Sequence, residues 1–175
     1  MSISTGACRR PTAAFAAGSR PSEHPRRGEA SFQESLTVMA YAPDAFSSYV
    51  YAGVAARAAG WLASRDTGKA AVYRDSAVRA MNWAEADRER EEREEREFLM
   101  GKHPAVRDAR NYASAELFRL TGEPRWNALF VATTEFTNPK APVPYHWDAL
   151  DQADAAWAYA RTDRTGMNAT IKQNC

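Results

Sequence analysis

Three aspartates near the end of the chain have a spacing at which carboxylates can act together. Asp148, Asp151 and Asp154 are each three residues apart, in a stretch whose apolar residues recur at helical intervals. Side chains three residues apart lie on one face of a helix, so a pair of these carboxylates could exchange protons with a substrate or bind a cation. The alternative is that Asp148 caps the helix and the other two keep its outer face in water.

Two aromatic residues and a histidine stand directly before these aspartates. Tyr145, His146 and Trp147 lie in a proline-rich stretch over residues 138–148, which predicts a loop between two helices. Loops often carry binding residues, and an exposed ring offers a flat face to the C–H groups of a sugar. Trp147 and His146 are therefore candidate substrate-binding residues, and a histidine titrates near neutral pH. The alternative is a hydrophobic plug that holds the loop down.

The cysteines and histidines predict no metal site. Cys8 and Cys175 stand at the two ends of the chain, and His24, His103 and His146 are widely separated. Zinc and haem sites are recognised by ligands at short, regular intervals. We therefore expect no metal, no other cofactor and no disulfide framework.

The apolar pattern predicts five helices, joined in part by short turns into hairpins. Ser47 or Ser48 is expected to cap the first helix, and Pro104 suits the first position of the third. Gly122 is expected to end the third helix in the left-handed conformation. The expected spans are residues 48–63, 69–100, 104–121, 124–137 and 148–161, the last with Leu150, Ala153, Trp157 and Ala160 on its apolar face.

A run of eleven charged residues over positions 87–97 follows the apolar part of the second helix. It holds seven acids and four arginines, and Glu89 and Arg93, like Glu92 and Arg96, have the i, i+4 spacing that stabilises a helix. We expect the helix to continue into this run as a solvated extension. A binding surface for a basic partner is the alternative.

The composition favours helices and argues against two classes of protein. Of 175 residues, 35 are Ala and only 17 are Leu, Ile or Val. Ala is the best helix former, whereas β-branched residues favour strands. The formal net charge of +1 argues against a dedicated nucleic-acid binder. No apolar run approaches the roughly 20 residues that span a bilayer, so no membrane partner is expected.

Three stretches, taken in order, resemble helices of glycoside hydrolase family 9, the cellulase family with an (α/α)6 barrel. Residues 41–59 resemble an Ala-rich helix with a Ser or Thr cap, and residues 73–86 (YRDSAVRAMNWAEA) resemble the helix after it. Residues 107–126 (RDARNYASAELFRLTGEPRW) resemble a third helix and its T-G-D turn. The third match is the most specific, because a charged start, an aromatic residue, an Ala-rich face and the turn occur at fixed spacing.

The resemblance implies an all-α fold of antiparallel helical hairpins that form part of an (α/α)6 toroid. It also implies hydrolysis of β-1,4-glucan with inversion, for which one carboxylate activates water and a carboxylic acid stands about 6.5–9.5 Å away. Tyr112 matches the aromatic position of the third motif, where a ring can stack on a sugar, and Asp108 and Arg110 flank it. Core packing of Tyr112 and a helix-start role for Asp108 are the alternatives.

The family's catalytic motifs are missing from this sequence. No D-A-G-D-like motif supplies the water-activating aspartates, and we expect the acid to lie beyond Cys175. We therefore predict no catalytic residue in this chain, which we interpret as an inactive fragment of a glycoside hydrolase. The expected organisation is a disordered segment over residues 1–30, a helical segment over 31–161 and an irregular tail over 162–175.

The implied partner is a polysaccharide of the β-glucan type. A helical-hairpin module that binds a protein or a carbohydrate without catalysis is the alternative. The family is commonly secreted, but residues 1–30 contain no convincing export signal. The sequence therefore assigns no compartment.

Overall fold

The computed structural model describes residues 19–21, 37–40, 42–93, 104–141 and 152–175. Helices dominate these residues, which confirms the all-α expectation. The six described helices are α1 (Ala45–Leu62), α2 (Thr67–Arg93), α3 (Pro104–Thr121), α4 (Pro124–Thr133), α5 (Ala153–Ala160) and α6 (Ala169–Asn174).

A small two-stranded sheet accompanies the helices. β1 (Ser19–Pro21) pairs antiparallel with β2 (Val38–Ala40), and Arg20 stands opposite Met39. β1 belongs to residues 1–30, for which disorder is expected, and its three residues are the part of that segment that the structure describes. The expectation for the other residues of the segment lies outside the described residues.

The helices follow one another as three hairpins, α1–α2, α3–α4 and α5–α6. α1 packs along α2 and α3, α3 packs along α4 and α5, and α5 contacts α6. The first helices of the hairpins therefore form one layer, in which α3 is central and α1 and α5 stand at the two edges.

Small side chains allow the helices of this layer to approach closely. Ala52, Ala56 and Ala59 of α1 are buried, and a Cβ at Gly53 would overlap the ring of Tyr112 on α3. An Ala-rich helix thus gains its packing from close approach rather than from large aliphatic side chains.

Aromatic residues of α3, α4 and α5 supply the bulk of the core. The rings of Phe130 and Tyr159 stack with centroids 4.0 Å apart, and the ring of Phe118 lies 6.3 Å from that of Tyr159. Trp126 is also buried. These side chains compensate for the small number of Leu, Ile and Val residues.

Local chemistry predicts some helix ends correctly and others wrongly. α3 begins at Pro104, and Gly122 has a φ of 72°, as predicted. α1, however, begins at Ala45, and its N-cap is Asp44 rather than Ser47 or Ser48. The Asp44 carboxylate accepts hydrogen bonds from the backbone N–H of Ser47 (2.7 Å) and from its hydroxyl (2.9 Å). A carboxylate has the added advantage of facing the positive end of the helix dipole.

The charged run is helical as far as the structure describes it. α2 begins at Thr67, two residues before the predicted start, and continues to Arg93. Asp87, the first residue of the run, is buried, so the run is not solvated along its whole length. Residues 94–103 lie outside the described residues.

The fifth helix differs from its prediction in both its start and its buried face. α5 begins at Ala153 with Gln152 as N-cap, whereas Asp148 and Leu150 lie outside the described residues. Tyr159 is fully buried, and Trp157, which was expected on the apolar face, is 47% exposed. Tyr159 therefore packs in the core, and Trp157 lies at the surface.

The expected irregular tail over residues 162–175 contains a sixth helix. The side chain of Asn168 accepts a hydrogen bond from the backbone N–H of Ile171 (3.0 Å) and so caps α6. Ile171 is buried, and the Tyr159 hydroxyl accepts from the backbone N–H of Asn168 (2.9 Å). The cap at Asn168 and the buried side chain of Ile171 thus order a stretch that is polar in sequence.

The fourth helix is shorter than predicted, since it ends at Thr133 rather than at residue 137.

Candidate functional site

Side chains of α1, α3 and α5 meet around Arg57, which projects from α1. Its Nε donates to Oε1 of Glu116 (2.6 Å), and its Nη2 donates to Oδ1 of Asp154 (3.3 Å). The guanidinium carbon lies 5.2 Å from the ring centroid of Tyr112 and 5.0 Å from a ring centroid of Trp157. These five residues, the Arg57 cluster, join an acid and an aromatic ring of α3 to an acid and an aromatic ring of α5.

Tyr112, the predicted sugar platform, is half-buried in this cluster. Its ring packs against Gly53 of α1 and lies beneath Arg57. Burial, followed by the nearby carboxylate of Glu116, raises the pKa of Tyr112 to about 12, so the phenol is neutral at ordinary pH. These are the contacts of a packing residue, and its sugar-stacking role stays a prediction.

Glu116 is the fully buried acid of the cluster. Besides the contact with Arg57, its Oε2 accepts from Nε of Arg119 (3.0 Å), and the Nη2 of Arg119 lies 2.9 Å from the same oxygen. A buried carboxylate is stable only when it is paired, because taking a charge out of water is costly. With a guanidinium on each oxygen, Glu116 acts as a structural anion that holds two arginines in place.

Trp157 is the member of the cluster that the sequence pattern misplaced. The guanidinium carbons of Arg57, Arg119 and Arg161 lie 5.0, 5.9 and 5.0 Å from its ring centroid, a separation at which cation–π attraction operates. Trp157 also borders a groove of about 310 Å³ beside α5, which is lined by Phe136, Ala153, Ala156, Trp157, Ala160, Arg161 and Cys175. This surface is apolar with an arginine at its rim.

A second, partly buried ion pair joins α2 to α3. Nε and Nη2 of Arg110 each donate to a different oxygen of Glu85 (2.6 Å for both), and the Tyr49 hydroxyl donates to Oε1 (2.6 Å). Burial acts to raise the pKa of Glu85, but the hydrogen bonds from Arg110 and Tyr49 and the charges of Arg110 and Arg88 outweigh it, so the pKa lies below its usual value. Burial and the negative charge of Glu85 raise the pKa of Tyr49.

Asp108, at the start of α3, belongs to a third polar network. Its Oδ1 accepts from Nε2 of Gln152 (2.9 Å) and from Nε and Nη2 of Arg107 (3.1 Å each). Gln152 also donates to the backbone carbonyl of Thr133 (3.0 Å) and accepts from the backbone N–H of Glu135 (2.8 Å). Asp108 thus ties the start of α5 to the start of α3 and the end of α4.

The remaining candidate residues fall largely outside the described part of the chain. Trp147 and His146 lie there, together with Tyr145, Asp148 and Asp151. Asp154 is described and exposed, and its partner is Arg57. Within the described ranges, no group of three His, Cys, Asp or Glu side chains is placed to hold a metal ion. The helices in these ranges also include none with the length and apolar character needed to cross a membrane.

The three-hairpin arrangement is similar to part of two solved endoglucanase structures. A single mutant of a thermostable endoglucanase from Alicyclobacillus acidocaldarius matches 93% of this chain with a TM-score of 0.67 and 17% identity. The glycoside hydrolase family 9 endoglucanase J30 matches 94% of it with a TM-score of 0.66 and 21% identity. The match covers 30% of each endoglucanase chain. No protein-family model and no curated protein sequence matches this chain.

These likenesses show the fold. The chain has the helical-hairpin architecture of a segment of the family 9 endoglucanase toroid, as the resemblance of residues 41–59, 73–86 and 107–126 implies. The first stretch falls on α1, the second on α2, and the third on α3 and the first turn of α4. The chain spans about 30% of each matched endoglucanase, so it resembles one segment of their fold.

Proposed function

We propose that this chain is a scaffold segment of a polysaccharide hydrolase of the family 9 endoglucanase type. It supplies helical wall to the toroid, and the parent enzyme cleaves β-1,4-glucan by single displacement with inversion. The observation that carries the proposal is the match of more than nine-tenths of the chain, at a TM-score of 0.67, to under a third of an endoglucanase.

The state of the buried and partly buried carboxylates supports a scaffold role without catalysis. An inverting hydrolase needs a carboxylic acid whose pKa is raised so that it can protonate the leaving oxygen. Glu85 has a lowered pKa, and both oxygens of Glu116 are bonded to guanidinium groups. Asp108 is bonded to Arg107 and Gln152. We infer that these three acids hold the helices together and that the proton donor and the base lie elsewhere in the parent.

Substrate contact is the role that we propose for the aromatic residues. Tyr112, His146 and Trp147 are the sugar-binding candidates, since an aromatic ring can stack on the C–H face of a glucose unit. For Tyr112 this requires the ring edge that Gly53 and Arg57 leave uncovered. Binding to such a partial surface is expected to be weak, because the remainder of the toroid contributes nothing to it.

Titration with cellohexaose, followed by calorimetry, tests the substrate class. We expect saturable binding that is weakened in Trp147→Ala and Tyr112→Leu. Tyr73→Ala is the matched control, since Tyr73 is exposed on α2 and belongs to none of the proposed contacts. Binding of an unrelated α-linked oligosaccharide with equal affinity, or no binding of cellohexaose at all, would contradict the proposed substrate.

The alternative function is a helical module that binds a protein without catalysis. The exposed apolar side chains on α1 and α5 favour it, because large exposed apolar groups often mark interaction surfaces.

A further inference from the structure

Glycine positions on α1 determine where α3 can approach it closely. The ring of Tyr112 on α3 packs on Gly53, where a Cβ would overlap it. Gly60 follows seven residues later, which places it on the same face of the helix about 10.5 Å further along the axis. A Cβ at Gly60 would have no heavy atom within 4 Å. α1 therefore has two positions at which an aromatic ring of α3 meets no side chain.

Two ion pairs distinguish the first of these positions from the second. Arg57 of α1 and Glu116 of α3 are 59 residues apart, which is also the separation of the glycine and the tyrosine in the ring contact. Equal separations place both contacts in one register of two parallel helices. On the other side of the ring contact, Arg110 of α3 donates two hydrogen bonds to Glu85 of α2. The ring contact thus has a charged contact on each side of it.

A slide of α3 that brought its ring to Gly60 would separate the charged partners. Glu116 would then lie opposite Ser64, beyond the end of α1. Of its two guanidinium partners, Arg119 alone is on α3 and would move with it. Since Glu116 is fully buried, the loss of a partner leaves its charge partly uncompensated away from water, which is costly. The charges therefore disfavour the second register.

The slide would also break the contact with α2. The α1–α2 hairpin keeps Glu85 in place while α3 moves, so Arg110 would be carried about 10.5 Å from its carboxylate. Both side chains are mostly buried, with 16% of Arg110 and 20% of Glu85 exposed. The two ion pairs thus act on the same equilibrium between registers.

The same charges are a poor source of stability. Taking charged groups out of water offsets much of their mutual attraction, and apolar residues of similar volume often replace a whole buried ion pair without loss of stability. Buried polar groups can instead specify one register of packed helices, at a cost in stability. This role suits an interface in which glycine leaves the ring two places to pack.

We propose that the two charged clusters, Arg57–Glu116–Arg119 and Glu85–Arg110, form a register lock for α3 on α1. The lock selects the first glycine position for the ring and excludes the second. It determines which arrangement forms, and it adds nothing to the resistance of the chain to unfolding. The lock is a property of this fold and does not depend on the substrate of the parent enzyme.

NMR spectroscopy of glycine-labelled protein tests the lock, because the ring current of Tyr112 shifts the Hα resonances of a glycine against which it packs. The wild-type chain should give one sharp, ring-shifted signal from Gly53. The lock-free variant replaces the two clusters, and the hydroxyl that is bonded to Glu85, with apolar groups: Tyr49→Phe, Arg57→Met, Glu85→Leu, Arg110→Met, Glu116→Leu and Arg119→Met.

The lock-free variant should keep its helical content and unfold at an equal or higher urea concentration than the wild type. Its Gly53 signal should broaden or divide, because more than one register is populated. Gly60→Leu, added to this variant, fills the second position and should restore a single Gly53 signal. The matched control, Glu123→Leu with Arg125→Met, removes an ion pair at the surface and should leave the signal unchanged.

Each of the opposite results would overturn the register lock. A lock-free variant that kept the sharp Gly53 signal would show that the charges do not select the register. Unfolding at a lower urea concentration, or loss of helix, would make the clusters a source of stability instead. If Gly60→Leu did not restore the signal, the chain would have loosened rather than shifted between two positions.

Discussion

At the scale of single residues, arginines pair with the acids between the helices and hold them in structural contacts. Glu116 is held by Arg57 and Arg119, and Glu85 is held by Arg110 through two hydrogen bonds. Such pairs link helices that are distant in sequence, since Arg57 and Glu116 are 59 residues apart. The energetic consequence is that removing one partner leaves a charge stranded in a mostly buried site.

The Glu85 pair gives a prediction with a defined pH dependence. Glu85→Gln should lower the free energy of unfolding by about 3 kcal/mol near neutral pH, because Arg110 then loses its counter-charge. The folded-state pKa of Glu85 lies below the ordinary value of 4.5. The contribution of the charge is therefore complete above that value and is lost as pH falls through the lower, folded-state pKa.

Urea denaturation of wild type and variant over a pH series measures this effect. The difference between the two proteins should shrink as the solution is acidified below 4.5. Glu123→Gln is the control, since Glu123 pairs with Arg125 at the surface, and it should cost less than about 0.5 kcal/mol. A difference for Glu85→Gln that stayed constant with pH would contradict the assigned ion pair.

The sequence alone could not identify these residue clusters. Tyr112 was selected by its place in a motif, but its neighbours Gly53 and Arg57 are on another helix. Arg57 had no distinguishing local pattern, because its partner Asp154 is 97 residues away. Contacts of this kind depend on which helices become neighbours, and hydrophobic periodicity does not report that.

At the scale of helices, the small side chains of α1 allow it to pack closely against its neighbours in the layer. Gly53 and Gly60 lie on the same helix but differ in surroundings: a Cβ at Gly53 would overlap the Tyr112 ring, whereas a Cβ at Gly60 would have no heavy atom within 4 Å. The two positions therefore separate the effect of packing from the effect of helix propensity.

Gly53→Ala and Gly60→Ala should change stability in opposite directions. Gly53→Ala should destabilise by about 1–3 kcal/mol, because the ring of Tyr112 must move to admit a methyl group. Gly60→Ala should stabilise by about 0.5–1 kcal/mol, since Ala loses less backbone entropy in a helix. Thermal or urea unfolding measures both, and stabilisation by Gly53→Ala would show that α1 and α3 do not pack as described.

Helix ends were predictable where the local chemistry was strong. Pro104 and Gly122 define the ends of α3 because their backbone preferences act without help from the rest of the fold. The buried face of α5 was not predictable, because its helix is mostly Ala and Trp157 and Tyr159 are the only large residues that could mark a side. The choice of Tyr159 depends on its stacking with Phe130, which is a tertiary contact.

At the scale of the whole molecule, three hairpins build a layer with two open edges. The fold class was predictable, because the Ala content, the apolar periodicity and the three family-like stretches all indicate helical hairpins. The groove beside α5 and the exposed strip on α1 could not be predicted, since they depend on which face of each end helix remains uncovered.

The most direct test of the scaffold role is an assay of β-1,4-glucan hydrolysis by the purified chain, read as release of new reducing ends. We predict no release above that of buffer, because the acids Glu85, Asp108 and Glu116 are held by basic or amide donors. Release that copurifies with the chain and disappears in Asp108→Asn or Glu116→Gln, with the variants still folded, would contradict the account and make one of these acids catalytic.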